Sequence, residues 1–316
     1  MLSPARLSPV RKVAATLVAA VALSVFGTTP ASAATDSELA LHWAPVHYQD
    51  TDSSDHDADY LSTVDFDGDW NAQNNWEGQD DVLSRLTGAA YYSVVETSTH
   101  WFIVYSFYHP RDWEDFPDPF GQFTHENDME GLLATVRKDG SAFGKLEAVV
   151  TVAHSDFYSY VPAGSTYTGG RENVDGTLLV QDQRPTTRQE AKGHGLYAWN
   201  GAEFPGGDGV VYVPSTTGEV PSSGNDRSVA YRLVDTFAPG GLWARRADAA
   251  TFASWGTFRG DNGKKNAANS AWGWDDGNDG SDLQRGLLAT DPAYLVSVYF
   301  ANRGDFSLTY TRNAYR

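Results

Sequence analysis

The chain of 316 residues contains no cysteine. This absence excludes a thiolate zinc site, a cysteine nucleophile and any stabilisation by disulfide bonds. A chain of this length can bury enough apolar surface to fold without such cross-links. The fold must therefore be held together by core packing and non-covalent contacts alone.

Basic residues are scarce. The chain has 23 Lys and Arg against 41 Asp and Glu, which gives a formal net charge of −18. Such a surface repels the phosphate backbone, so a nucleic acid partner is not expected. It attracts divalent cations, although acidic residues also serve solubility. The composition therefore favours cations and uncharged molecules as ligands.

Long apolar runs are also lacking, apart from Val13–Phe26 near the start. This run follows the basic pair Arg11-Lys12 and precedes Ala31-Ser32-Ala33, the small-residue pattern of a cleavage site. It is shorter than the roughly 20 apolar residues that a membrane-spanning helix needs. We expect residues 1–33 to be a cleaved secretion signal. The mature protein is then extracellular and has no transmembrane segment.

Aromatic residues, at 13%, and 30 glycines indicate many short strands joined by tight turns. We predict a mostly-β chain: a single β-sandwich domain over 34–316, with a few short helices and long polar loops. The main predicted strands are Ala89–Val95, His100–Tyr108, Glu130–Arg137, Leu146–His154, Gly209–Val213, Val229–Asp235, Tyr294–Phe300 and Phe306–Thr311. The predicted helices are Asp80–Leu86, Thr187–Lys192 and Asp248–Phe252.

Four polar side chains cluster around the entry to one predicted strand. On an extended strand Asp128 and Glu130 point to the same side, and a turn can bring His125 and Asp112 to join them. One imidazole and three carboxylates suit Ca²⁺, Mg²⁺ or Mn²⁺ better than a structural zinc. The alternative is a solvated acidic rim. Spacing alone leaves both open.

A second acidic stretch holds eight aspartates between Asp50 and Asp69. Counted from Asp65, it has Trp70 and Trp76 where an EF-hand needs Gly and Glu, so the EF-hand pattern fails. A hydrated loop or another type of calcium loop fits the stretch.

His194 lies between two glycines, whose small size allows a close backbone approach to a ligand or simply a tight bend. His154 and Ser155 are adjacent and would face opposite sides of a strand. Since no G-x-S-x-G sequence is present either, we do not expect a serine hydrolase.

Three motifs occur in an order that resembles the core of the necrosis-inducing, NLP-type secreted cytolysins. The segment Tyr105–Asp112 matches Y-S-W-Y-x-P-K-D, His125–Glu130 matches the end of G-H-R-H-D-W-E, and His194–Tyr197 matches H-G-x-Y. A vacuolar-sorting-associated family has a similar H-x-x-D-W-E core and an Ala-Pro segment like Ala44-Pro45. The whole chain also resembles a group of uncharacterised exported microbial proteins, whose hallmarks include the segment 65–70.

The NLP resemblance implies a β-sandwich with one divalent cation in an acidic cleft. Carried over by motif, the ligands are Asp112, His125, Asp128 and Glu130. In that family the cation and cleft bind the sugar head group of a membrane sphingolipid, with no bond broken. The chain departs from the pattern at Asn127, where the family has a second His, and in its longer interval between Asp112 and His125.

Three functions follow as hypotheses. The first is a cation-dependent (Ca²⁺ or Mg²⁺) protein that binds a glycan or glycolipid. Trp272 and Trp274 are either exposed loop aromatics that stack on its sugars or part of the core. The second is a metal-dependent hydrolase in which His194 or Glu126 acts as general base. The third is an exported structural protein stabilised by calcium.

Overall fold

The computed structural model describes residues 34–278 and 283–316. The predicted secretion signal, residues 1–33, lies outside the described residues. In the described part, no helix is both long enough and apolar enough to cross a membrane.

Strands dominate the described part of the chain. In chain order they are β1 Val46–Asp50, β2 Ala89–Thr97, β3 His100–Asp112, β4 His125–Arg137, β5 Lys145–Ala153, β6 Asp156–Pro162, β7 Thr168–Gly169, β8 Gly176–Leu178, β9 Val180–Gln181, β10 Arg184–Gln189, β11 Leu196–Ala198, β12 Gly209–Ser215, β13 Val229–Asp235, β14 Phe252–Ser254, β15 Thr257–Phe258, β16 Phe300–Ala301 and β17 Tyr310–Arg312. The α-helices are α1 Asp36–Trp43, α2 Asn75–Asp81, α3 Leu287–Thr290 and α4 Pro292–Tyr299.

Thirteen of these strands form one mixed sheet in the order β11-β10-β1-β12-β13-β2-β3-β4-β5-β6-β8, with β17 beside β2 and β9 beside β10. Strand β11, at one end of this order, contacts β4 and β5 near the other end, so the sheet bends back on itself. The prediction of a mostly-β chain with a few short helices is confirmed. The strands share one hydrogen-bonded sheet, and the sandwich stays a prediction.

Strands β3 and β4 are the centre of this sheet. They pair antiparallel along their length, and the register places His100 opposite Arg137 at one end and Asp112 opposite His125 at the other. Nearly every residue between these ends is buried. Gly131 is required here, because a Cβ at this position would lie 2.0 Å from the carbonyl oxygen of Tyr105.

Several predicted strands are confirmed with small shifts of their ends, and Val229–Asp235 is confirmed as predicted. The predicted strand Tyr294–Phe300 is wrong, since Pro292 begins helix α4 there and Leu295, Val296 and Tyr299 lie on its buried face. The predicted helix Thr187–Lys192 is also wrong. Its first residues pair with β1 as part of strand β10, where β-branched threonines pack well.

Of the two alternatives for Trp272 and Trp274, exposed loop aromatics is wrong and core packing is confirmed. Their side chains are buried, with 0% and 3% of their surface exposed. The indole nitrogen of Trp274 donates to the carbonyl oxygen of Met129 at 2.7 Å, so a core contact rather than solvent determines its position.

Candidate functional site

The four predicted ligands come together at one end of strands β3 and β4. Asp112 ends β3, and His125, Asp128 and Glu130 lie on β4. All four line one cleft of about 400 Å³. The antiparallel pairing explains the meeting, because it places the end of β3 beside the start of β4. The residues that sequence reasoning grouped are therefore neighbours in space.

His125 is held between a carboxylate and the backbone. Its Nε2 lies 3.2 Å from Oδ2 of Asp112, its cross-strand partner, and its Nδ1 donates to the carbonyl oxygen of Asn127 at 2.8 Å. Burial works to lower the pKa of His125. The hydrogen bond that the ring donates to Asp112, together with the charge of Asp128, outweighs burial, so the pKa is raised. His125 is therefore tied to both strands of the cleft end, through Asp112 on β3 and the backbone of β4.

Asp128 reaches a buried histidine. Its Oδ2 accepts from Nδ1 of His194 at 3.0 Å, and Nε2 of His194 donates to Oδ1 of Asp59 at 3.1 Å. Burial lowers the pKa of His194, but the hydrogen bonds to Asp128 and Asp59 prevail and raise it to about 9. The ring of His109 stacks on His194 with centroids 3.8 Å apart. His194 is thus a buried cation beneath the cleft.

Glu130 is buried in the cleft wall, and backbone amides hold both of its oxygens. Oε1 accepts from the amide of His154, and Oε2 accepts from the amide of Leu196 in β11 at 3.1 Å. Burial, together with the charge of Asp128, raises the pKa of Glu130 well above its ordinary value. The bent sheet makes this site, since it carries β11 over to β4.

Unusual backbone conformations gather around the cleft. Asn127, His154, Lys192 and His194 have φ between 52° and 66°, the left-handed region that side chains other than glycine rarely adopt. Each such residue costs on the order of 1–3 kcal/mol, and such strain concentrates at functional sites. Half of the left-handed non-glycine residues in the described ranges thus lie in or next to one site.

Glu126, one of the two predicted bases, lies outside the cleft lining. Its carboxylate accepts from the backbone amides of Trp76 at 3.0 Å and Asp261 at 3.1 Å. Burial raises its pKa to about 7, and the two amides oppose that rise. The other predicted base, His194, is sealed below the cleft. A catalytic role for either residue stays a prediction.

Sequence reasoning missed two partners of the site. Asp59 was part of the stretch interpreted as a hydrated loop, yet its side chain is fully buried against His194. His154 was considered only as a possible partner of Ser155. Its half-exposed ring instead lies on the cleft rim, with Nδ1 3.8 Å from Oε1 of Glu130. No local pattern marks either residue, because both contacts join distant parts of the chain.

The donor set fits a hard divalent cation in chemical type. The carboxylates of Asp112, Glu114, Asp128 and Glu130 line the cleft. Oxygen-rich sets of this kind suit Ca²⁺ or Mg²⁺. As they stand, Asp112 and Asp128 are paired with imidazoles and Glu130 with backbone amides. Within residues 34–278 and 283–316, no three acidic or histidine side chains are arranged around one point for a metal ion.

Comparison with known proteins supplies one sequence relative. The chain is 30% identical over 103 residues to NLP effector protein 10 of Phytophthora capsici. The resemblance to NLP-type proteins is confirmed. The match covers 32% of this chain, and the NLP-like chain spans only about two fifths, 42%, of that relative's length. No protein-family model matches the chain.

Solved structures of NLP proteins also align with the NLP-like chain, but weakly. A structure of NLPPya in complex with mannosamine aligns at 13% identity and a TM-score of 0.39, over 76% of this chain and 86% of that one. A non-toxic HaNLP3 structure aligns at 13% identity and a TM-score of 0.37, over 68% and 81%. At such scores these alignments carry no further argument.

The interval between Asp112 and His125 carries an exposed aromatic segment. This segment exposes three phenylalanines, Phe116, Phe120 and Phe123, by 50%, 82% and 55%. The carboxylate of Asp118 organises it by accepting from the amides of Gln122 and Phe123. The segment forms part of the cleft rim through Gln122 and Phe123.

Proposed function

We propose that this is a secreted protein that binds a divalent cation, Ca²⁺ or Mg²⁺, and uses it to recognise a glycan or glycolipid head group. The cation ligands would be Asp112, His125, Asp128 and Glu130. The bent sheet serves as a sandwich-like scaffold for the cleft. One observation carries the proposal: these four residues line a single cleft although they come from two strands.

Electrostatics support a cation at this place. Glu130 is a carboxylate removed from water, and its neighbours include two further carboxylates, Asp128 and Asp112. Burying like charges together costs free energy unless a positive charge compensates them. A divalent cation would supply that charge, and its remaining coordination positions would accept oxygen atoms of a sugar.

Binding fits the site better than hydrolysis. A general base must lie within hydrogen-bond reach of the water that it activates. Of the two bases predicted for a hydrolase, Glu126 lies outside the cleft lining and His194 is sealed below it. The sequence relative is named as an effector, and the amino sugars in the NLPPya complexes, mannosamine and glucosamine, offer first probes. Export is supported by the predicted signal at residues 1–33.

The cation is tested by calorimetric titration of Ca²⁺ and Mg²⁺ into the purified protein. We expect Asp128→Ala and Glu130→Gln to weaken binding by about tenfold or more, because each removes a charged ligand. Glu147→Gln is the matched control: Glu147 is equally buried but pairs with Arg137 outside the cleft. Equal cation binding by all four proteins would refute the site.

Recognition is tested with dye-loaded vesicles that display a glycolipid with an amino-sugar head group. We expect protein to bind these vesicles only when cation is present, and Glu130→Gln to abolish the binding. Leakage of dye would add lysis to binding. A cation that raises the melting temperature while the vesicles stay unbound would instead favour the stabilising calcium site.

A further inference from the structure

A second pocket of about 400 Å³ adjoins the cleft. Glu114, His154 and Gly193 line both spaces, so the two are continuous along one surface. The second pocket is otherwise formed by the end of β1, by the end of β10 with the segment that follows it, and by Pro205. Its position makes it reachable by a ligand already held in the cleft.

Asp50 gives this pocket its chemical character. The side chain ends strand β1 and lines the pocket, with only 7% of the residue exposed. Its Oδ1 is buried and accepts no hydrogen bond from the described residues. A buried acceptor without a donor costs on the order of 1–3 kcal/mol, so a ligand that brings an O–H or N–H group gains what the folded protein lacks.

Around Asp50 the pocket mixes both signs of charge. The carboxylates of Asp52 and Glu190 and the cations of Arg188 and Lys192 all line it. Lys192 pairs with Asp52 at 3.1 Å, and Arg188 lies 3.9 Å from Glu190. Asp50 and Glu114 line it as well, so four carboxylates face two cations and a strong anion is disfavoured. A sugar ring suits the mixture, since each hydroxyl both donates and accepts.

We infer that the Asp50 pocket is a second subsite, which binds the next sugar unit of the glycan held in the cleft. This inference rests on the proposed function. Asp50 accepts from one hydroxyl of that unit, and Arg188 donates to another. The protein therefore prefers a disaccharide, or a longer head group, to a single sugar.

The test is a nuclear magnetic resonance titration of the cation-loaded protein with glucosamine and with its β-1,4-linked disaccharide. The amides of Met129 and Ala268 report on the cleft, and those of Ala191 and Lys192 report on the Asp50 pocket. We expect the disaccharide to shift both sets and to bind about tenfold more tightly than the monosaccharide, the gain of one hydrogen bond to a charged group.

Two variants complete the test. Asp50→Ala should abolish the gain from the second sugar and leave monosaccharide binding unchanged. If Asp50→Ala does not fold, Arg188→Gln takes its place in the test. Arg188 lies on the pocket surface, and its substitution should likewise abolish the gain from the second sugar. Shifts confined to the cleft would overturn the second subsite and leave the proposed function intact. Shifts confined to the Asp50 pocket would show that sugar binds there and would overturn the cleft as the first binding site. No shifts at all would overturn both sites.

Discussion

A histidine is buried at each end of the β3–β4 pair, and the pKa values of the two histidines are shifted in opposite directions. At the cleft end, hydrogen bonds to two aspartates outweigh burial and raise the pKa of His194 to about 9. At the other end His100 is equally buried, and burial, aided by Arg137, lowers its pKa to about 3. His100 contacts neutral hydroxyls: Thr99 at 2.8 Å and Tyr167 at 3.1 Å.

This difference teaches that partners, rather than burial, decide whether an interior imidazole is charged. Both rings are fully buried and pack against another ring, His194 on His109 and His100 on Phe306. Only the cleft end brings carboxylates from separate segments, Asp59 and Asp128, to one ring. The charged imidazole therefore lies beside the proposed binding cleft, whereas the imidazole at the opposite end contacts neutral hydroxyls.

The largest effect is expected from removing one charge of the cleft end. Asp59→Asn should lower the free energy of unfolding by roughly 3–5 kcal/mol, because it leaves the buried His194 cation with only one carboxylate. Chemical denaturation measures the change. The same substitution at Asp36, which forms an exposed pair with Arg312, is the control and should cost less than about 1 kcal/mol. Equal losses would break the contrast between buried and surface charge.

An intermediate effect is expected at His100, at the end opposite the cleft, on the loss of stability in acid. The pKa of His100 is about 3 in the folded protein and about 6.5 in the unfolded chain. The unfolded chain therefore binds the proton first as pH falls, and this histidine removes roughly 1.4 kcal/mol of stability per pH unit between about 6.5 and 3. Chemical denaturation across that pH range should show that the free energy of unfolding of His100→Gln falls less steeply with falling pH than that of the wild type.

Tyr167→Phe is the control for this prediction. It removes a hydrogen-bond partner of His100 but leaves the number of titrating imidazoles unchanged. Its stability should be lower at every pH, with the slope of the wild type. An unchanged slope in His100→Gln would mean that the two ends do not differ as described.

The smallest effect is expected on the exposed rim of the cleft end. Phe120→Ser should change the free energy of unfolding by less than about 0.5 kcal/mol, because the ring is 82% exposed. Phe143, near the opposite end, stacks on His42 with centroids 4.1 Å apart, so Phe143→Ser should cost more. Thermal melting of both variants checks the order. A large loss in Phe120→Ser would show that the rim segment supports the fold.

Local pattern was sufficient for much of the sheet. Runs of β-branched and aromatic residues bounded by turns predicted β2 to β5 and β13, because strand formation depends mainly on adjacent residues. It failed at α4, where a short apolar run suits either a strand or a helix and only its packing decides. Strand β1 escaped prediction for another reason: its region is acidic and shows no clear hydrophobic period.

The sequence by itself determined the absence of disulfides, the acidic surface, and the grouping of His125, Asp128 and Glu130, which lie within six residues of one another. Tertiary structure alone decided that Asp59 and His194 form a buried ion pair, and that Asp50 lines a pocket beside the cleft. The physical reason is distance along the chain. Spacing along a strand sets which side a residue faces, but residues 59 and 194 meet only because β1 and β10, the strands that precede them, pair side by side.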